Sequence, residues 1–150
     1  MPPVDFHKDG FYISTDPAIL NVAYVHLYLS TQSYWAKNIP LEVLKKSIEG
    51  SCCFGVYHNN MQVGFARVIT DYATFGYLCD VFIDEAFRGR GLSKWLMEVI
   101  HSHPKLQGFR TWMLGTKDAH GLYEQFGYMI HPEPGRVMRK NNPDVYNAIR

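Results

Sequence analysis

The spacing of hydrophobic and polar positions along this chain changes several times, and each change marks an element. "FYIST" (11–15) is a short β-type run, after which Asp16-Pro17 supplies an N-cap and a first-turn proline before the mostly apolar "AILNVAYVHLYLS". This predicts a strand followed by a well-buried helix. In "PLEVLKKSI" (40–48), Leu41, Leu44 and Ile48 share a helical face, Pro40 suits the first turn, Glu42 stands four residues before Lys46, and Gly50 ends the helix. "CCFGVYH", "QVGFARVITD" and "TFGYLCDVFID" are rich in β-branched and aromatic residues, and Asn59-Asn60 between the first two tolerates the positive φ of a tight hairpin. Three consecutive antiparallel strands follow from this.

From Gly91 the period changes from 2 to 3.6, with Leu92, Trp95, Leu96, Val99 and His103 on one stripe and Pro104 closing the helix. "FRTWMLGT" reads as a further strand, "DAHGLYEQF" as a helix stopped by Gly127, and "RVMRK" as a weak last strand. The first ten residues and the Pro/Gly/Asn-rich tail around "HPEPG" and "KNNPD" read as irregular. The strand–helix–strand step over 74–116 is long enough for a right-handed crossover, which makes its two strands parallel.

Composition narrows the class. A chain of 150 residues, 47% hydrophobic and 19% charged, suits one domain spanning 1–150. A formal net charge of +1 gives no global field toward nucleic acid, so no nucleic-acid partner is expected. Cys52, Cys53 and Cys79 show no CxxC spacing and no histidines placed to complete a zinc site, so they read as buried thiols in a reducing compartment. His101 and His103 fall on different helix faces, which argues against a metal pair. "MPPVDFHKDG" has no apolar signal core, and no segment offers the roughly 18 apolar residues of a membrane span. The expectation is a cytoplasmic protein with no membrane partner.

The candidate chemistry starts at "FRGRGLSK" (87–94), where two glycines and three cations precede a helix. The N-terminus of a crossover helix favours an anion, and glycines let the backbone approach it; the bland alternative is a basic turn that caps the helix. Walker A spacing is absent, and the dinucleotide pattern fails at its last glycine.

Arg88-Gly89-Arg90-Gly91-Leu92-Ser93 resembles the Arg/Gln-x-x-Gly-x-Gly/Ala signature of the GCN5-related N-acetyltransferase (GNAT) superfamily, with Ser93 departing at the last position. Ala119, Tyr123, Gly127 and Tyr128 in "DAHGLYEQFGY" match a second family feature, and the order of elements matches over nearly the whole chain. The chain is similar to the small bacterial members that consist of the acetyltransferase domain alone. The resemblance implies an α/β GNAT fold: a mixed, mostly antiparallel sheet of six to seven strands with about four helices and a splayed parallel pair formed by the family's fourth and fifth strands.

It also implies acetyl-CoA as co-substrate, bound by backbone amides of Arg88, Gly89, Arg90, Gly91, Leu92 and Ser93 and along Val81, Phe82 and Ile83. A bulge just before Val81 would offer a backbone N–H to the thioester carbonyl. Tyr123 is the implied acid that protonates the leaving thiolate, and a phenol keeps its proton at neutral pH. Thr116 stands where the family often places a pantetheine-contacting asparagine, three before Ala119, and either Thr116 or Asp118 could cap the helix instead. Candidates for the base are Asp80, which interrupts the apolar run "YLCDVFI", and His120. The acceptor site would draw on Tyr34, Trp35, Tyr72, Phe75 and Tyr77.

The implied activity is acetyl transfer to a primary amine of a small molecule or peptide, by a monomer or homodimer. A non-catalytic acyl-CoA-binding or regulatory module is the alternative from another class, since Ser93 and Thr116 depart from the family pattern. A basic nucleic-acid-binding turn is the third.

Overall fold

The computed structural model describes residues 3–149; Met1, Pro2 and Arg150, the outer limits of the single-domain expectation, lie outside the described residues. One sheet runs in chain order: β1 (Asp5–Lys8), β2 (Phe11–Ser14), β3 (Cys52–His58), β4 (Met61–Thr70), β5 (Phe75–Ile83) and β6 (Thr111–Leu114). Neighbours are antiparallel except β5 and β6, which pair in parallel. The helices are α1 (Val22–Thr31), α2 (Leu41–Glu49), α3 (Leu92–Ser102), α4 (His120–Glu124) and α5 (Val145–Ile149). This mixed six-stranded sheet, with α3 as the crossover between β5 and β6, is the expected α/β architecture.

The chain covers the sheet on both faces. Leu92, Trp95, Leu96, Val99 and Ile100 of α3 pack with Ile13, Phe54, Val56 and Leu78 into one core. Val25 and Leu29 of α1 and Leu44 of α2 pack with Phe65 and Phe82 into a second. Fully burying side chains of this size is worth about 1.5–3 kcal/mol each, so the two layers hold the strands between them in one register.

Several local expectations are corrected. The first ten residues are not irregular: Asp9 (φ 52°) and Gly10 (φ 84°) make a tight turn that joins β1 to β2. Three of the four β1 residues are exposed, so β1 lacks the apolar alternation that reveals a strand. The Asp16-Pro17 signal builds only the single 3-10 turn Pro17–Ile19, and α1 is capped by Asn21, whose Oδ1 accepts from the Tyr24 N–H at 3.0 Å. That helix is also less buried than its apolar run suggests, since Val25 and Leu29 are its fully buried residues while Leu27 is exposed. The basic partner of Glu42 is Lys45, at 3.7 Å, in place of Lys46. "RVMRK" forms no strand; Pro134–Arg136 is a 3-10 turn, and the chain then runs to α5, where Tyr146 packs onto the α1/α2 core.

Candidate active site

β5 and β6 pair only from Phe75↔Thr111 to Leu78↔Leu114, although β5 continues to Ile83. Beyond Leu78 the two strands part. Within the same stretch β5 carries a bulge: Phe65 pairs with Phe82 and Arg67 with Cys79, so Asp80 and Val81 together oppose Ala66. Asp80 sits at φ 55°, an unusual conformation for a non-glycine residue and a common mark of functional sites. The opening between the parted strands is a cavity of about 730 Å³ lined by Tyr77, Asp80 and Val81 on one side and Gly115 to Ala119 and Tyr123 on the other.

A polar network fixes the bulge. Asp80 is buried, and its Oδ2 accepts from Arg67 Nε at 2.8 Å while its Oδ1 accepts from Trp35 Nε1 at 2.8 Å. Arg67 Nη1 donates to Ser51 Oγ at 3.0 Å. A buried carboxylate is costly unless paired, and here both oxygens are engaged. Asp80 thereby ties β4, β5 and the loop after α1 together at the point where the strands separate.

The glycine loop lies past the other end of β5. Gly89 (φ 80°) and Gly91 (φ 76°) both adopt left-handed backbone, which a Cβ disfavours. A Cβ built at either would meet nothing within 4 Å, so the space over the loop is open. The first helical bond of α3 is donated by Trp95 to the Gly91 carbonyl at 3.0 Å, so the N–H groups of Leu92, Ser93 and Lys94 precede the helical ladder. α1 positions the loop: Tyr24 donates to Asp84 Oδ2 at 3.1 Å, and Tyr28 stacks on Phe82 and accepts from Arg88 Nη2 at 3.0 Å. These two tyrosines, four residues apart, form one face of that helix.

Tyr123 is at the cavity wall. Its side chain is 9% exposed, its hydroxyl makes no hydrogen bond among the described residues, and burial, with Tyr34 and Asp118 nearby, raises its pKa. Thr116 braces the turn before α4, its Oγ1 accepting from the Ala119 N–H at 3.0 Å, while α4 itself has Ala119 at its N-cap position and no side-chain cap. Across the opening, the Tyr34 hydroxyl accepts from the Lys117 N–H at 3.2 Å, and the Lys117 ammonium lies 5.5 Å from the Tyr34 ring centre. The tail returns here too, placing Arg139 on the cavity.

Of the expected site residues, the structure gathers Tyr34, Trp35, Tyr77, Asp80, Val81, Thr116, Ala119 and Tyr123 around one cavity. It does not gather all of them. Phe82 and Ile83 are buried in the two cores on either side of the sheet, so Val81 alone of those three lines the opening. Leu92 is a core residue. The Arg88 N–H is used by a turn to Glu85 O at 3.3 Å and its Nε by Ile83 O at 2.9 Å, so Arg88 braces the loop and adds no free amide to it. Arg90 lies over the Phe87 ring at 5.3 Å. Tyr72 and Phe75 lie at the opposite end of β5, with Tyr72 beside Lys105, and neither lines the cavity. His120 lines a neighbouring cleft of about 660 Å³ beside β6, not this one. His101 in that cleft bonds the Tyr128 hydroxyl at 3.0 Å, and His103 Nδ1 accepts from the Lys105 N–H at 3.1 Å. No group of three or more metal-ligating side chains occurs among the described residues.

Sequence reasoning missed Arg67, Cys79, Lys117 and Arg139. Arg67 carried a usable signal, since a cation inside the apolar run "VGFARVIT" requires a buried partner, and Asp80 is the matching charge in the next strand. Arg139 carried none, because only the path of the tail brings it to the cavity.

Comparison with known proteins agrees with this geometry. The acetyltransferase (GNAT) domain model matches residues 49–130. A candidate acetyltransferase of Gibberella zeae is 32% identical over 143 residues, covering 81% of this chain and 80% of that one. The crystal structure of a candidate GNAT-family acetyltransferase from Xanthomonas campestris superposes with a TM-score of 0.90 at 44% identity, covering 93% of this chain and 99% of that one. A GNAT-family acetyltransferase from Elizabethkingia anophelis with acetyl-CoA bound shares the fold at 16% identity and a TM-score of 0.60, covering 89% and 91% of the two chains. The matched domain includes the bulged β5, the glycine loop and Tyr123, and this chain belongs to the GNAT acetyltransferase family.

Proposed function

We propose that this protein transfers the acetyl group of acetyl-CoA to a primary amine by direct attack. The observation that carries the reading is the unbonded hydroxyl of Tyr123 on the wall of the cavity that opens where β5 and β6 part, facing the bulge at Asp80-Val81. Acetyl-CoA supplies the activated thioester; the chain supplies orientation, charge stabilisation and a proton.

The left-handed glycines leave the backbone bare at the N-terminus of α3, where free N–H groups and the helix dipole suit a pyrophosphate. The bulge leaves backbone at Asp80-Val81 out of the antiparallel ladder, which supports an N–H there as donor to the thioester oxygen as its charge grows. The amine nitrogen forms a bond to the acetyl carbon, the carbon–sulfur bond breaks, Tyr123 gives its proton to the departing sulfur, and the proton that the nitrogen sheds as it becomes an amide restores the Tyr123 phenol, directly or through water. Its raised pKa keeps that proton in place through the physiological range.

Asp80 is assigned a positioning role, because both its oxygens already accept N–H groups from Arg67 and Trp35. The proton of the incoming ammonium leaves to water through a rim that keeps Tyr34 and Trp35 exposed. Cys79 also lines the cavity, but burial pushes its thiol up to about 12, which supports direct transfer over an acetyl-cysteine intermediate.

Thiol release from acetyl-CoA across a panel of primary amines tests the proposal. Amine-dependent release with an N-acetyl product is expected. Tight CoA binding without release on any amine would sink it and favour a non-catalytic acyl-CoA-binding module.

A further inference from the structure

The cavity holds an asymmetric set of charges. Asp80 is neutralised by Arg67, which leaves Lys117, Asp118 and Arg139 as its remaining charged lining. Among the described residues neither Lys117 nor Arg139 pairs with a carboxylate. Besides Asp80, Asp118 is the single carboxylate of that lining, which it shares with Tyr123. Lys117 lies over Tyr34, which is 57% exposed at the rim, and Arg139 is exposed on the tail that returns to the α1/α2 side through Tyr146.

These cations line a cavity whose β5 residues end at Val81, and no residue of the glycine loop lines it. From Val81, the last β5 residue on the cavity, the strand runs on to Ile83 before the glycine loop begins. Lys117 and Arg139 are therefore two exposed cations at the cavity that the glycine loop does not share. An acceptor with a second ammonium would meet two cations at the rim, whereas one with an anionic group would bridge from Asp118 to Arg139.

Resting on the acetyl-transfer reading, we infer that the acceptor is a small zwitterionic amine whose carboxylate or phosphoryl group is held by Arg139 and Lys117. Arg139 is the main determinant, since a guanidinium offers a planar fork to an oxyanion. Aromatic walls from Tyr34, Trp35 and Tyr77 then enclose the methylene segment between the two charges.

The test compares kcat/KM for propylamine, diaminopropane, β-alanine and aminoethylphosphonate, the last two separating a carboxylate from a phosphoryl source. At least one anionic amine should exceed propylamine by about tenfold or more, with diaminopropane poorest, as one charge-assisted contact allows. Arg139→Ala should bring the amines to within about threefold of one another, Arg139→Lys should keep part of the preference, and Arg139→Glu should favour diaminopropane. A wild-type preference for diaminopropane, or an equal loss on all amines in Arg139→Ala, would overturn the inference while leaving acetyl transfer intact. Calorimetry on the CoA-saturated protein gives a readout independent of turnover. Binding of an anionic amine that Arg139→Ala removes supports the inference even if no amine is acetylated, a result that would count against acetyl transfer alone. Absence of binding by both anionic amines, or tighter binding of diaminopropane, overturns it.

Discussion

The two ends of the β5 wedge are built in different ways. Its glycine-loop end is local: Gly89, Gly91 and the first turn of α3 lie within a few residues of one another, and their backbone conformation follows from residue type. Its other end, the cavity that the proposal gives to the acceptor, is assembled from the loop after α1, the bulge of β5, the loop before α4 and the returning tail. Contiguous residues can be recognised in a sequence as a motif, whereas a site gathered from four segments depends on the fold being complete. The glycine loop was therefore legible and the full lining of the cavity was not.

The largest effect expected at the junction of the two ends comes from Tyr123→Phe. Removing a general acid should lower kcat by about 10²–10⁴-fold, while acetyl-CoA affinity measured by calorimetry stays within about twofold. Unchanged turnover would remove the acid role.

The acceptor end is next. Arg67→Met should leave Asp80 buried without its cation, and breaking such a pair costs about 3–5 kcal/mol when fully buried. Arg67 is 14% exposed, so the lower part of that range is expected in a urea titration, with partial recovery in Arg67→Met/Asp80→Asn. A loss under about 1 kcal/mol would mean that the network is not what fixes the bulge.

At the glycine loop, a β-branched residue in left-handed backbone costs about 1–3 kcal/mol, so Gly91→Val should weaken acetyl-CoA binding by about 10–100-fold. Arg90→Ala should weaken it by no more than about threefold, because Arg90 rests on Phe87 and the proposed contacts are to the backbone. The reverse order would return this stretch to a basic turn.

The smallest effect lies outside both ends. Burial holds His101 and His103 below the ordinary histidine value of 6.5, with Lys105 adding to the shift at His103. A depressed folded value means that the unfolded chain binds more protons, so this contribution is present above about pH 6.5 and is lost as the pH falls from there through the lower folded values. His101→Phe should flatten the acid side of a thermal stability–pH profile; an unchanged slope would rule His101 out.

Legibility elsewhere in the fold follows the same division between local and long-range signals. α3 and the β3–β4 hairpin were readable, because a sustained 3.6-residue stripe and an Asn-Asn turn at φ 50° and 63° are local signals. β1 was missed because it is an exposed edge strand with little apolar alternation, and "RVMRK" was over-read because β propensity alone cannot supply a pairing partner. Phe82 and Ile83 were assigned to the cavity because the motif gives a strand's position but not its faces. The bulge at Asp80-Val81 alters which residues point where.

The most direct measurement is a crystal structure of the acetyl-CoA complex. The pyrophosphate should rest on the N–H groups of Gly89 to Ser93, and the thioester carbonyl should lie at the Asp80-Val81 bulge, with its sulfur within hydrogen-bond reach of the Tyr123 hydroxyl. A cofactor seated in the cleft of His101, Trp112 and Ile130 would contradict it.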